Sequence, residues 1–229
     1  AKGEFFHPVY VIPATQAANK KMETIAYEHI PTLAYFSDIV KFDLPKDMKT
    51  TGKRIGYITG AGDKLPDMIR RMGYDVTELG RADITQGKLN QFDAVVVGVR
   101  AYNVNEWMAE KHAILMDYIT NGGNLVVQYN TNSFAGPMQK TMIGPKPFTI
   151  SRGRTTEEDA DVVFLDEKDP LLNFPNKITK DDFSGWIQER GIYYAENFST
   201  DYKAVLSMHD QGEAALNGSL IVRNEGKGR

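Results

Sequence analysis

Apolar and polar positions fall into blocks between residues 53 and 132, and the length and spacing of the blocks predict elements. Arg54-Ile55-Gly56-Tyr57-Ile58 is a short apolar run that reads as a buried strand, and Thr59-Gly60-Ala61-Gly62-Asp63 after it reads as a turn. Leu65, Met68, Ile69 and Met72 then recur at helical spacing, and Gly73 fits the helix stop. Asp75-Val76-Thr77-Glu78-Leu79 predicts a second strand, and residues 83–92 a short helix or loop. Ala94-Val95-Val96-Val97 is apolar throughout, as a strand covered on both faces should be. Asn105 is placed to cap the next helix, in which Trp107, Ile114, Leu115, Tyr118 and Ile119 share one stripe. Gly122-Gly123 stops that helix. Leu125-Val126-Val127 is a fourth strand, ending in the polar tip Gln128-Tyr129-Asn130-Thr131-Asn132. Strands alternating with helices through short turns predict a doubly wound α/β fold with a mostly parallel sheet.

The pattern is weaker at both ends. Residues 5–13 read as an extended edge strand between prolines, residues 14–27 have helical composition with a weak apolar stripe, and residues 39–45 alternate like a strand. We expect residues 1–51 to be a lead-in or linker from a preceding domain and residues 52–229 to be the α/β domain. The opening Ala1-Lys2-Gly3, without a methionine, suggests a processed or excised piece of something longer. After Asn132, Gly136-Pro137 and Gly144-Pro145-Lys146-Pro147 are loop chemistry. Residues 162–165 predict a strand and Asp169-Pro170 a turn. Residues 204–208 and 219–223 predict an antiparallel edge near the C-terminus.

Composition narrows the functions. A net charge of −3 over 229 residues leaves no basic excess to neutralise phosphates, so no nucleic-acid partner is expected. No apolar run approaches the roughly 20 residues that span a bilayer. The chain has no cysteine, which removes disulfides, thiolate metal ligands and thiol nucleophiles together. Its histidines are His7, His29, His112 and His209, and no two stand at a metal-ligand spacing, so neither a metal site nor a cofactor is expected.

Four places carry candidate chemistry. Gly60-Ala61-Gly62 follows a strand and precedes a helix, as in a dinucleotide fingerprint with Glu78 as the ribose acid. Leu65 stands where the third glycine belongs, however, and a tight turn with Asp63 capping the helix fits better. Arg100, Tyr102 and Asn103 follow the third strand, beside Tyr129, Asn130 and Asn132 on the fourth. Such neighbouring strand tips are where this fold binds ligands. Residues 181–191, with Asp182, Trp186, Glu189 and Arg190, combine acids, an indole and a guanidinium, as sugar sites do. An internal ion pair beside a half-buried tryptophan accounts for the same run. His209 reads first as a turn histidine and second as an acid–base group, while His112 falls on the polar side of its helix and is expected to be solvated.

On these residues the chain resembles the class I glutamine amidotransferase-like superfamily, especially its trehalose-utilisation (ThuA-like) branch. The resemblance rests on the first strand with Gly60-Ala61-Gly62-Asp63, the strand at residues 93–98, and Asp117-Tyr118-Ile119-Thr120-Asn121-Gly122-Gly123. It implies a flavodoxin-like sheet. Tyr27-Glu28-His29-Ile30-Pro31, residues 55–63, residues 183–191 and Gly226-Lys227-Gly228-Arg229 resemble more closely a module found C-terminal to PIG-L/LmbE-type de-N-acetylases of large bacterial proteins. Two departures matter. Such amidotransferases carry a cysteine at the elbow occupied here by Tyr129-Asn130, so glutaminase chemistry is excluded. The zinc motif of the deacetylases is also missing, because His7-Pro8 is followed by Val9-Tyr10. The resemblance further implies that the sheet lacks a C-terminal strand and that the protein is periplasmic or extracytoplasmic. Its leading implication is a non-catalytic or weakly catalytic accessory module of a carbohydrate-active protein, binding a glycan or amino sugar or docking on the preceding domain. The alternatives are a sugar-derivative hydrolase using His209, Glu189 or Asp182, and a nucleotide binder using residues 60–62.

Overall fold

The computed structural model describes residues 20–24, 33–37, 48–131, 142–186 and 190–229. The chain divides into two compact units, Ala1–Asp47 and Met48–Arg229. In the first, β1 (Lys20–Thr24) pairs antiparallel with β2 (Leu33–Ser37), Lys20 opposite Ser37 and Thr24 opposite Leu33. This corrects the helical reading of residues 14–27. A helix without an apolar stripe has no face to bury, and packing of such a face supplies most helical stability. The strands expected at residues 5–13 and 39–45 lie outside the described residues.

The second unit is built on four parallel strands, β3 (Arg54–Ile58), β4 (Asp75–Leu79), β5 (Ala94–Val97) and β6 (Leu125–Val127), in the spatial order β4-β3-β5-β6. They are joined through α1 (Leu65–Arg71), α2 (Gln86–Leu89), the single turn α3 (Ala101–Val104) and α4 (Met108–Thr120). Side-chain alternation explains why β3 and β5 are apolar at successive positions. Ile55, Tyr57 and Val96 pack with Ile69 of α1 in one core. Ile58, Val95 and Val97 pack with Leu89 of α2 and Leu115, Tyr118 and Ile119 of α4 in the other. Both faces are therefore covered, and each fully buried aliphatic side chain contributes about 1.5–3 kcal/mol relative to exposure. Asn105 does not cap α4. That helix begins after Trp107 without a side-chain cap, whereas Asn105 ends α3 and its amide donates to the Thr59 carbonyl at 2.8 Å. The side chain is turned to a backbone carbonyl of the turn after β3, instead of offering its oxygen to the first amides of α4.

The antiparallel part consists of small two-stranded sheets. Its elements are β7 (Thr149–Ile150), β8 (Arg154–Thr155), β9 (Val163–Phe164), the helical turn α5 (Pro170–Asn173), β10 (Gly191–Ile192), β11 (Ala195–Glu196), β12 (Lys203–Ala204), β13 (Leu206–Ser207) and β14 (Ile221–Val222). The pairs are β7 with β11, β8 with β10, β9 with β13, and β12 with β14. Asp169, expected in a turn, caps α5 by accepting from the Leu171 amide at 2.8 Å. Val162, Leu172, Val205, Leu206 and Met208 form a third core beneath these pairs. The backbone of Arg229 lies along the start of β6, accepting from the Leu125 amide at 2.9 Å and donating to Gly123 at 3.0 Å.

Candidate functional site

At the carboxyl edge of the sheet the loops after β3 and β5 touch directly. Gly60 is needed there for closeness: a Cβ would lie 2.0 Å from the Val99 carbonyl oxygen. The Ala61 amide donates to that oxygen at 2.8 Å. Asp63 accepts from the Leu65 amide at 2.8 Å, from the Tyr57 hydroxyl at 2.6 Å and from the Val99 amide at 3.4 Å. Burial, reinforced by the Asp63 acceptor, raises the Tyr57 phenol far above its ordinary range, so it is a fixed neutral donor. Its oxygen accepts from the Gln128 amide at 3.1 Å. The Gly60 turn thus packs on its neighbour. The cap position of α1 is Lys64, which makes no side-chain cap. Asp63 just before it takes the first helical amide, that of Leu65, while Glu78 pairs with Arg70 at 3.0 Å.

The next pair of tips is equally self-satisfied. Asn130 is buried, its side-chain oxygen accepting from the Tyr102 amide at 3.1 Å and its NH₂ donating to the Gln128 carbonyl at 3.1 Å. Asn103 clamps Thr131 from both sides, accepting from its amide at 2.9 Å and donating to its carbonyl at 3.2 Å. Tyr102 is fully buried, and its hydroxyl donates to the Ile143 carbonyl at 3.3 Å. Arg100 adopts φ +57° and is exposed, with its amide donating to Tyr129 at 2.9 Å.

The open space lies beyond β6. A cavity of about 570 Å³ is walled by β6, by residues 143–150 and by parts of the small sheets. Its wall includes Tyr129, Asn130, Trp186 and Arg190, and does not include Arg100, Tyr102, Asn103, Asp182 or His209. Asn132 and Glu189 lie outside the described residues. Tyr129 is half-exposed and runs parallel to Tyr193, with ring centroids 6.2 Å apart at 10°. Tyr193 holds φ +62°, rare for a bulky residue. The chain bends there because β10 before it pairs with β8, and β11 after it pairs with β7. The same bend turns Tyr194 inward, where its hydroxyl donates to Thr155 at 3.0 Å.

Trp186 is 43% exposed, lies 5.3 Å from Phe183 and donates from its indole nitrogen to the Asp182 carbonyl at 3.1 Å. Asp182 itself is occupied as a cap, accepting from the Thr179 amide at 2.7 Å. Arg190 sits 5.8 Å from the Trp186 ring and donates to the carbonyls of Ala160 at 3.1 Å and of Phe183. Deeper in the wall, Arg223 lies 5.8 Å from the Tyr202 ring and pairs with Asp201 at 2.9 Å and Glu225 at 2.7 Å. No Asp, Glu, His or Lys is found among the described residues of the wall. Nor do the described residues hold a group of three or more His, Asp or Glu fit for a metal.

His209 is exposed, with Nδ1 2.8 Å from the Asp210 carbonyl oxygen. His112 corrects its sequence reading. It is partly buried with an Nδ1 shielded from water and unbonded among the described residues, and burial lowers its pKa below the ordinary histidine value. Tyr193, Phe148, Tyr202 and Arg223 were not singled out by sequence. The doublet Tyr193-Tyr194, two residues after Gly191 in the Trp186 run, is a signal that could have found Tyr193; Phe148, Tyr202 and Arg223 carry none.

No protein-family model matches the chain, and no curated protein matches it. Among solved structures, it is similar to a protein described as ThuA-like from Bacteroides uniformis, over 81% of this chain and 86% of that one, at 11% sequence identity and a TM-score of 0.41.

Proposed function

We propose that this domain is a non-catalytic module that binds a saccharide in the cavity beyond β6. The observation that carries the proposal is the makeup of the wall. Half-exposed aromatic faces at Tyr129 and Trp186 stand beside hydroxyl and guanidinium donors, with no acidic or histidine side chain among the described residues lining it. Sugar C–H faces pack on such rings while their hydroxyls meet the polar rims. The volume falls within the roughly 300–1,000 Å³ usual for small-ligand sites. Glycoside hydrolysis ordinarily calls for a pair of carboxyl groups flanking the bond, and Asp182 and His209 stand outside the wall. The resemblance of residues 183–191 to modules of PIG-L-type proteins agrees with an accessory role beside a carbohydrate-active domain.

The test is calorimetric titration with a panel of oligosaccharides, run on the wild type and on Trp186→Ala beside their urea midpoints. Trp186→Ala is expected to weaken binding by about 1–3 kcal/mol, as loss of an interfacial aromatic does. Because the ring is half-exposed, its cost to stability should stay below the roughly 3–5 kcal/mol of a buried tryptophan. Absence of saccharide binding by the wild type, with a large fall in the mutant's midpoint, would make Trp186 a packing residue and sink the proposal.

A further inference from the structure

Building on that saccharide reading, we infer that the ligand is acidic, and that its carboxylate or sulfate is held by Arg190. The charged side chains in the described wall are three arginines, and their surroundings differ. Arg223 is neutralised between Asp201 and Glu225, and Arg229 faces the buried Asp169 at 3.6 Å. Arg190 has no carboxylate partner among the described residues. Its guanidinium is held by two backbone carbonyls, Ala160 and Phe183, and by the face of Trp186. These partners are neutral. They fix the plane of the group and use two of its five N–H donors, and no countercharge stands against it among the described residues.

A guanidinium fixed in this way is pre-organised for the forked recognition of an oxyanion. The remaining wall reinforces the choice, since no described acid stands there to repel an anion. A neutral ligand covering Arg190 would strip water from a cation and return no countercharge, which is unfavourable. Trp186 beside the guanidinium gives the same ligand a ring to lie on, so the stacking face and the anion receptor are adjacent. One sugar unit bearing an acidic group can engage both.

The experiment compares binding of oligogalacturonate, a sulfated galactose oligosaccharide and a neutral gluco-oligosaccharide of equal length to the intact chain. The acidic ligands should bind about tenfold or more tighter than the neutral one, as charge-assisted hydrogen bonds imply. Their advantage should shrink as salt rises from about 0.05 to about 0.5 M, through screening. Preference for the uronate over the sulfate, or the reverse, identifies which anion the fork fits. Arg190→Gln should remove the preference, bringing acidic and neutral ligands to similar affinities; Arg190→Lys should keep part of it. If Arg190→Gln does not fold, the lysine variant and the wild-type salt dependence decide. Equal affinity for neutral and acidic ligands would overturn this inference while leaving saccharide binding intact. Acidic preference that persists in a folded Arg190→Gln would overturn the assignment to Arg190. Failure of all three to bind would overturn both readings.

Discussion

Replacing Gly60 with alanine tests whether the turn after β3 is a packing device or a phosphate loop. The new Cβ would lie 2.0 Å from the Val99 carbonyl oxygen, 2.8 Å from its carbon and 2.9 Å from the Ala101 nitrogen. All three are backbone atoms, so no rotamer change relieves the clash. The two loops must separate by roughly 1.3 Å to reach an ordinary C···O contact. That movement breaks the Ala61–Val99 hydrogen bond of 2.8 Å and strains the 3.4 Å bond from Val99 to Asp63. Overpacking costs about 1–3 kcal/mol and a lost hydrogen bond about 0.5–1.5 kcal/mol, so the variant should be destabilised by about 2–4 kcal/mol. Gly87 in α2 is the control, because a Cβ there meets nothing within 4 Å. Alanine at that helical site should stabilise by about 0.5–1 kcal/mol. With a slope of about 2 kcal/mol per molar urea, Gly60→Ala lowers the midpoint by about 1–2 M and Gly87→Ala raises it by about 0.25–0.5 M. Urea titration followed by circular dichroism and by the fluorescence of Trp107 and Trp186 reads both. A Gly60→Ala midpoint indistinguishable from wild type would refute the packing account. Nucleotide binding by the wild type that the variant loses would revive the phosphate loop.

Two further predictions follow from the polar interior. The Asp210 carboxylate accepts from the Glu157 amide at 3.0 Å and from the Thr156 amide and hydroxyl at 2.7 Å each, and these bonds hold its pKa below the usual carboxylate range. A depressed folded pKa means that the stabilisation is complete above about pH 4 and is lost as pH falls through the folded value. Acid titration of stability should therefore be flatter below about pH 4 in Asp210→Asn than in wild type, and an unchanged slope would contradict this. Asn103→Ala removes both hydrogen bonds to Thr131. It should lower stability by about 1–3 kcal/mol, the cost of leaving such groups unpaired, with saccharide affinity in calorimetric titration unchanged, because Asn103 is not in the cavity wall.

The parallel sheet was legible because each of its elements carries its own signal. β3 and β5 are continuous apolar runs, α1 and α4 have stripes, and the Gly122-Gly123 pair stops α4. The small sheets were legible only in outline. Each strand there has two residues, too few for a period to register, and its partner lies far along the chain, as with Leu206 opposite Phe164. The β1–β2 pair was missed for another reason: its strands have five residues each, but composition over residues 14–27 speaks for helix and only the pairing with Leu33–Ser37 speaks for strand.

The polar strand tips mislead in a more instructive way. Gln128, Asn130, Asn103 and Asp63 sit where an open α/β sheet binds ligands, and a polar side chain at such a tip fits two roles equally well in sequence. It can face a ligand, or it can satisfy backbone groups that the turn leaves open inside the protein. The second demand exists in every buried turn, because an unpaired buried N–H or C=O is costly. Here it takes both ends of Asn103 and Asn130 and both oxygens of Asp63. What remains for a ligand must then come from groups the backbone does not need. Aromatic rings meet that condition, since their faces make no obligatory hydrogen bonds. Arg190 meets it in part, since the carbonyls of Ala160 and Phe183 take two of its five N–H donors. The cavity wall beyond β6 is therefore the place where Tyr129, Tyr193, Trp186 and Arg190 have surface left to offer, and binding is expected to depend on them and not on the amides of the strand tips.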